Sequence, residues 1–205
     1  NKLPRIVAEM RQSILDAGGE VLFETKVTDF IITKGKDEEL KGVVLENGDK
    51  IEGIGVILAT GHSARDVFEL LDKKKILIEA KPFAIGVRVE HQQKLIDKIQ
   101  YKRDEREKYL PAASYSLVEQ IPFDNLEKGV FSFCMCPGGF IVPAATLQGE
   151  VVVNGMSPSK RNSKYANSGI VVAIDEREWN KKYAKKGALA GLYYQEKKKK
   201  NACQV

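Results

Sequence analysis

Cysteine is scarce in this chain. Three cysteines in 205 residues are too few, and odd in number, for a disulfide framework, which points to a reducing compartment and a cytoplasmic protein. Histidine is scarcer, with only His62 and His91. Two distant histidines and Cys134, Cys136 and Cys203 give no ligand spacing for a zinc site, so no metal is expected. No apolar run approaches the length of a membrane span, which argues against a membrane partner. The N-terminus lacks a signal-peptide pattern. Internal repeats, low-complexity linkers and aromatic-rich RNA-binding motifs are also missing.

What is present is ordinary for a folded unit: 43% hydrophobic residues, a net charge of +5 and a pI near 8.9. The length suits one sizeable core or two smaller ones. Much of the positive excess lies in Lys181, Lys182, Lys185, Lys186 and Lys197 to Lys200. These lysines read as a solvated helix surface, which makes nucleic acid an unlikely partner. A binding or interaction module that takes nucleic acid stands as the alternative class.

Leu3, Ile6, Val7, Met10, Ile14 and Leu15 recur at helical spacing, with Pro4 in the first turn and Gly18-Gly19 as the stop, so residues 3–17 read as an amphipathic helix. Strands are then expected over 20–24, 27–33 and 41–46, with Asn47-Gly48 turning into 50–53. The apolar run Ile54 to Gly61 reads as a buried strand ending in Ala59-Thr60-Gly61. Such an ending brings bare backbone to a phosphate or ribose and points to a dinucleotide. A helix follows at Ala64, Val67, Phe68 and Leu71; Lys34 to Glu39 and the region to Lys75 are polar connections.

The composition divides near Ala80. Residues 1–80 form one domain, 81–175 an inserted mostly β unit, and 176–205 a helical, polar return segment. The fold class is α+β, within an α/β parent. In the second unit, strands are expected over 83–90, 114–119, 130–134, 140–143, 151–154 and 170–174, with a short helix at Leu95, Ile96 and Ile99.

Chemistry-bearing residues cluster at the ends of these strands. Arg88 and Glu90 share a strand face, either as a surface ion pair or as a substrate anchor. His91 and His62 are each either an acid–base group or a hydrogen-bonded structural group. Cys134 and Cys136 would share a face of an extended strand before the permissive turn Pro137-Gly138-Gly139. They read as small hydrophobes lining a pocket wall or as a reactive thiol, and a Cys-x-Cys disulfide would be strained in a strand. Asn154-Gly155-Met156-Ser157-Pro158 and Asn167-Ser168-Gly169 read as turns. Arg161-Asn162 pairs a guanidinium fork with an amide, suited to a planar carboxylate or carbonyl.

The order helix, meander, Ala-Thr-Gly strand resembles the FAD-binding domain of two-dinucleotide-binding-domain flavoproteins. The segments Lys81 to His91, Phe131 to Gly139 and Val153 to Ser157 look like those of a bacterial family of FAD-dependent dehydrogenases or oxidoreductases, over about residues 3–195. The family pattern has a proline after the histidine where Gln92 stands, and a tighter turn at Ala145 to Gln148.

The resemblance implies an enzyme that moves a hydride between a small organic substrate and FAD, with NAD(P)H a possible donor. It implies that Val27 of the meander, Ala59, Thr60, Gly61 and His62 contact the cofactor. It further implies that the loops of the inserted unit face the flavin ring, and it carries over no substrate role; from residue chemistry alone, Arg88, Glu90, Gly138, Gly139, Asn154, Arg161 and Asn162 are the expected substrate-binding set, and His91, Cys134 and Cys136 the expected proton-handling set. Such proteins open with a Gly-x-Gly-x-x-Gly turn that cradles the pyrophosphate. This chain has none, so it is expected to be an internal piece that does not retain FAD by itself.

Overall fold

Leu3–Asp16 forms α1, with Pro4 in its first turn and its last carbonyls answered by the amides of Gly18 and Gly19. In this computed structural model, which describes residues 2–33, 35, 37–124 and 126–204, the chain divides into two units, Asn1–Leu70 and Leu71–Val205. The boundary falls inside a helix, α2 (Arg65–Lys73). Part of the expected charged loop, Lys34 and Lys36, lies outside the described residues.

The first unit carries a three-stranded antiparallel meander, β1 (Val27–Ile32), β2 (Leu40–Leu45) and β3 (Lys50–Glu52), in the order β1-β2-β3. The Asn47-Gly48 turn closes β2 onto β3, and Phe30 and Leu45 are its buried side chains. Neither Glu20–Glu24 nor Ile54–Gly61 is a strand. A strand exists only where a neighbouring backbone takes up its N–H and C=O groups. Among the described residues nothing pairs with 54–61, and Ile54 and Ile57 stand fully in solvent. Valine and isoleucine supply strand propensity but cannot supply a partner.

The second unit is built on a four-stranded antiparallel sheet in the order β4-β9-β6-β5. Its strands are β4 (Phe83–Gln92), β5 (Val118–Phe123), β6 (Leu126–Cys136) and β9 (Tyr165–Ile174). A separate hairpin pairs β7 (Phe140–Pro143) with β8 (Val153–Met156). The helix α3 (Gln93–Tyr101) follows β4, and α4 (Glu176–Tyr183) and α5 (Ala190–Ala202) close the chain.

β4 pairs with β9 without interruption, Phe83 opposite Ile174 through Gln92 opposite Tyr165. The pairing of β6 with β9 skips between Phe133 and Cys136, a bulge. The core lies where α4 and α5 meet the sheet. Trp179 is 3% exposed and stacks on Phe83 at 5.5 Å, with Ile174 and Ala190 buried beside it. Truncating such a tryptophan costs about 3–5 kcal/mol. Among the described residues no helix is long and apolar enough to cross a membrane.

Candidate functional site

Strand alternation decides which candidates can meet. In β4, Arg88 and Glu90 point to one face and His91 to the other. Arg88 stands opposite Gly169, and Glu90 opposite Asn167, which also faces Cys136 across β9 and β6. Gly169 has no side chain, so the Arg88 guanidinium extends along the sheet instead of out from it. Its Nη1 donates to Asn167 Oδ1 at 2.5 Å and to the Cys134 carbonyl at 3.2 Å, and lies 3.7 Å from Cys136 Sγ. Glu90 is exposed and makes no ion pair with it among the described residues.

Two donor sets in this cluster are unused among the described residues. Asn167 is fully buried, yet its Nδ2 has no hydrogen-bond partner among the described residues. The only bonds Arg88 makes are from Nη1, so Nε and Nη2 remain free among the described residues. A buried amide without an acceptor costs about 1–3 kcal/mol. The cluster therefore suits an oxygen-bearing group that accepts hydrogen bonds. Gly155 of β8 packs directly on it: a Cβ there would collide with Arg88 Nη1, Asn167 Oδ1 and, at 2.7 Å, Cys136 Sγ.

The two cysteines do not share an environment. Cys134 has φ 55 at the bulge and is exposed, whereas Cys136 is 7% exposed and folds its Sγ back to 3.4 Å from the Cys134 carbonyl. The bulge breaks the two-residue period on which a common face depended.

The Pro137-Gly138-Gly139 turn is fixed from below. Gly138 has φ 55, and a Cβ on it would run into the Arg161 carbonyl, so any other residue would be both strained and overpacked. Its N–H donates to Gln93 Oε1 at 2.7 Å. Gln93 Nε2 donates to Asp97 Oδ1 at 2.7 Å and to the Ala113 carbonyl at 3.0 Å, and the Ala113 N–H returns to Asp97 at 2.9 Å. Gln93 and Asp97 are buried. The i, i+4 spacing of two polar residues beside Ile96 was the available signal for this network. Asn167 gave none, because Asn167-Ser168-Gly169 reads as a turn until β9 is seen to begin at Tyr165.

The remaining candidates are dispersed. Arg161 and Asn162 are exposed, and Arg161 reaches the turn through its backbone. Asn154 is exposed on β8. His91 lies 5.5 Å from the Tyr115 ring, its Nε2 is buried without a partner among the described residues, and burial holds its pKa below 6.5 despite Glu90 nearby. It is the neutral imidazole at neutral pH. The same sheet face carries an open apolar groove of about 420 Å³ between Ile85, Val87, Phe123, Val172 and Tyr194, reaching the buried Lys128–Glu178 pair. None of the predicted site residues lines it.

In the first unit, Val27 is exposed at the start of β1, and Ala59, Thr60, Gly61 and His62 are exposed. Gly61 has φ 75, with nothing within 4 Å of where a Cβ would sit. That is open, bare backbone of the kind a phosphate or ribose can approach. Among the described residues no group of three His, Cys, Asp or Glu side chains is placed to hold a metal ion.

Two comparisons with known proteins bear on this geometry. Over 177 residues, 86% of the chain, it is 41% identical to an uncharacterized protein of Clostridium beijerinckii, and it spans about a third (32%) of that protein's length. Residues 82–205, which hold β4 to α5 and the whole Arg88–Cys136–Asn167 cluster, match the family described as FAD-dependent protein, C-terminal domain-like. The chain belongs to this family of FAD-dependent proteins.

Proposed function

We propose that the chain is part of an FAD-dependent oxidoreductase whose second unit holds a small substrate by a carboxylate or carbonyl oxygen. The observation that carries this reading is the half-buried Arg88 guanidinium with Nε and Nη2 free among the described residues, beside the fully buried Asn167 amide whose Nδ2 likewise lacks an acceptor among them. A fixed planar cation next to an amide donor recognises an oxygen pair by charge and by direction. Family membership supports the cofactor, and the open backbone at Gly61 fits a nucleotide's close approach. FAD, when bound, supplies two-electron redox chemistry.

The chain's own residues supply orientation. Arg88 and Asn167 fix the substrate oxygen, and Gly155 keeps β8 close enough to exclude water from that cluster. Ala59, Thr60 and Gly61 offer backbone to the nucleotide, with Val27 and His62 at its margin. His91 faces away from Arg88, so a proton moved at the Arg88 cluster would pass through the Cys136 thiol, which lies against the guanidinium. NAD(P)H is the proposed electron donor.

The test is anaerobic reduction of the full-length protein by NADH or NADPH, followed by reoxidation with small keto acids and enones. Bleaching of the flavin band and its return on adding one substrate class support the reading. A full-length protein that carries flavin but is neither reduced by nicotinamides nor reoxidised by any such compound would refute it.

A further inference from the structure

We infer that Cys134 and Cys136 form an oxidisable thiol pair, a peroxide-modification site that closes to an intrachain disulfide. A regular extended strand would disfavour such a bond, but the end of β6 is bulged at Cys134. Cys134 has φ 55, and the pairing of β6 with β9 skips from Phe133 to Cys136, so residues 134 and 135 carry no ladder pairing that closure would break. The bulge also gives the two thiols different access. Cys134 is exposed and open to oxidant, while Cys136 is buried with its Sγ 3.4 Å from the Cys134 carbonyl, folded back toward the residue it has to reach. An accessible cysteine beside a sheltered resolving one is the arrangement of peroxide-responsive thiols. The Arg88 guanidinium 3.7 Å from Cys136 Sγ stands beside the negative charge this sulfur carries as it attacks.

The chemistry balances with hydrogen peroxide as oxidant. The Cys134 thiol takes one peroxide oxygen to become the sulfenic acid and releases one water. The Cys136 sulfur then attacks the sulfenyl sulfur, the S–O bond breaks, the S–S bond forms, and the thiol proton leaves with hydroxide as a second water. Closure commits the Cys136 sulfur to Cys134 and so withdraws it as the soft acceptor beside Arg88. The oxidised state therefore alters the cluster at its centre. This inference stands on the geometry of the bulge and is independent of any substrate reading.

The experiment is peptide mass spectrometry on the full-length protein after brief treatment with stoichiometric hydrogen peroxide, denaturation, alkylation with iodoacetamide and trypsin digestion. Residues 129–160 lie between Lys128 and Lys160 and contain both cysteines with no internal Lys or Arg. The expected product is this peptide unalkylated and lighter by two hydrogens, restored to the doubly alkylated form by dithiothreitol before the alkylation. In Cys136→Ser the Cys134 sulfenic acid should instead persist and take up dimedone. Recovery of the wild-type peptide with both cysteines alkylated would overturn the inference, as would oxidation of Cys134 to the sulfinic acid with Cys136 still alkylated. Because the wild-type readout needs no variant, a misfolded Cys136→Ser leaves it decisive.

Discussion

Burial holds His91 below its ordinary pKa, against the opposing field of Glu90. The folded state therefore binds fewer protons than the unfolded state between the two pKa values. Stability from this residue is complete above 6.5, and it is lost as pH falls through the depressed folded value. An NMR titration of the imidazole should give a midpoint below 6.5; a midpoint above it would contradict the burial argument. Gly155 offers a second test at this scale. A methyl group there meets Arg88, Asn167 and Cys136 at once, so Gly155→Ala should cost about 1–3 kcal/mol, read from chemical denaturation.

Arg88 and Cys136 were visible in the sequence because a fixed cation within an alternating apolar strand and a Cys-x-Cys pair before a Pro-Gly-Gly turn stand out. Asn167 was invisible. Its role depends on a register, opposite Glu90 on one side and Cys136 on the other, and register between strands far apart in the chain leaves no local trace.

Among elements, the strands with internal alternation were the legible ones. Phe83, Ile85, Val87 and Val89 announced β4, and β7 was placed over the same Phe140–Pro143 that the structure pairs. The run 54–61 failed because strand formation depends on a neighbour and not only on β-branched residues. The bulge at Cys134 escaped for the opposite reason. Nothing in Phe133-Cys134-Met135 signals a positive φ, which the pull of Arg88 on the Cys134 carbonyl helps to hold.

α4 begins with a capping box, Asp175 accepting from the Arg177 amide and Glu178 accepting from the Asp175 amide. Hydrogen bonding from the Arg177 side chain lowers the Asp175 pKa from 3.8 to about 2. Its contribution is therefore present above 3.8 and disappears as pH falls through about 2. Asp175→Ala should destabilise the second unit by about 1 kcal/mol at neutral pH, with the difference from wild type vanishing in that acid window. Urea melts at pH 7 and pH 2 would show it. Equal losses at both would exclude the ionised cap.

For the whole molecule, the α+β class was readable from the alternation of periods along the chain. The packing boundary itself, at Leu70 within α2, was not readable, since a helix that spans two units has the same 3.6-residue pattern as one that belongs to either. The chain holds no Gly-x-Gly-x-x-Gly turn, so the 205 residues expressed alone should fold without a stoichiometric flavin band. A visible spectrum of the purified chain decides this.

Arg88 with Asn167 is the proposed anchor for the oxygen end of a small substrate in this FAD-dependent protein. Its most direct test is a titration of the full-length, FAD-loaded protein with small keto acids and carboxylates, followed by the flavin difference spectrum, in wild type and Arg88→Lys at matched FAD occupancy. Lysine keeps the charge and loses the planar fork, which costs about 1.5–3 kcal/mol for a charge-assisted bond. Binding should be saturable in wild type and weaker by about 10- to 100-fold in the variant, with FAD content unchanged. Equal affinities in the two proteins, or no carboxylate response in either, would contradict it.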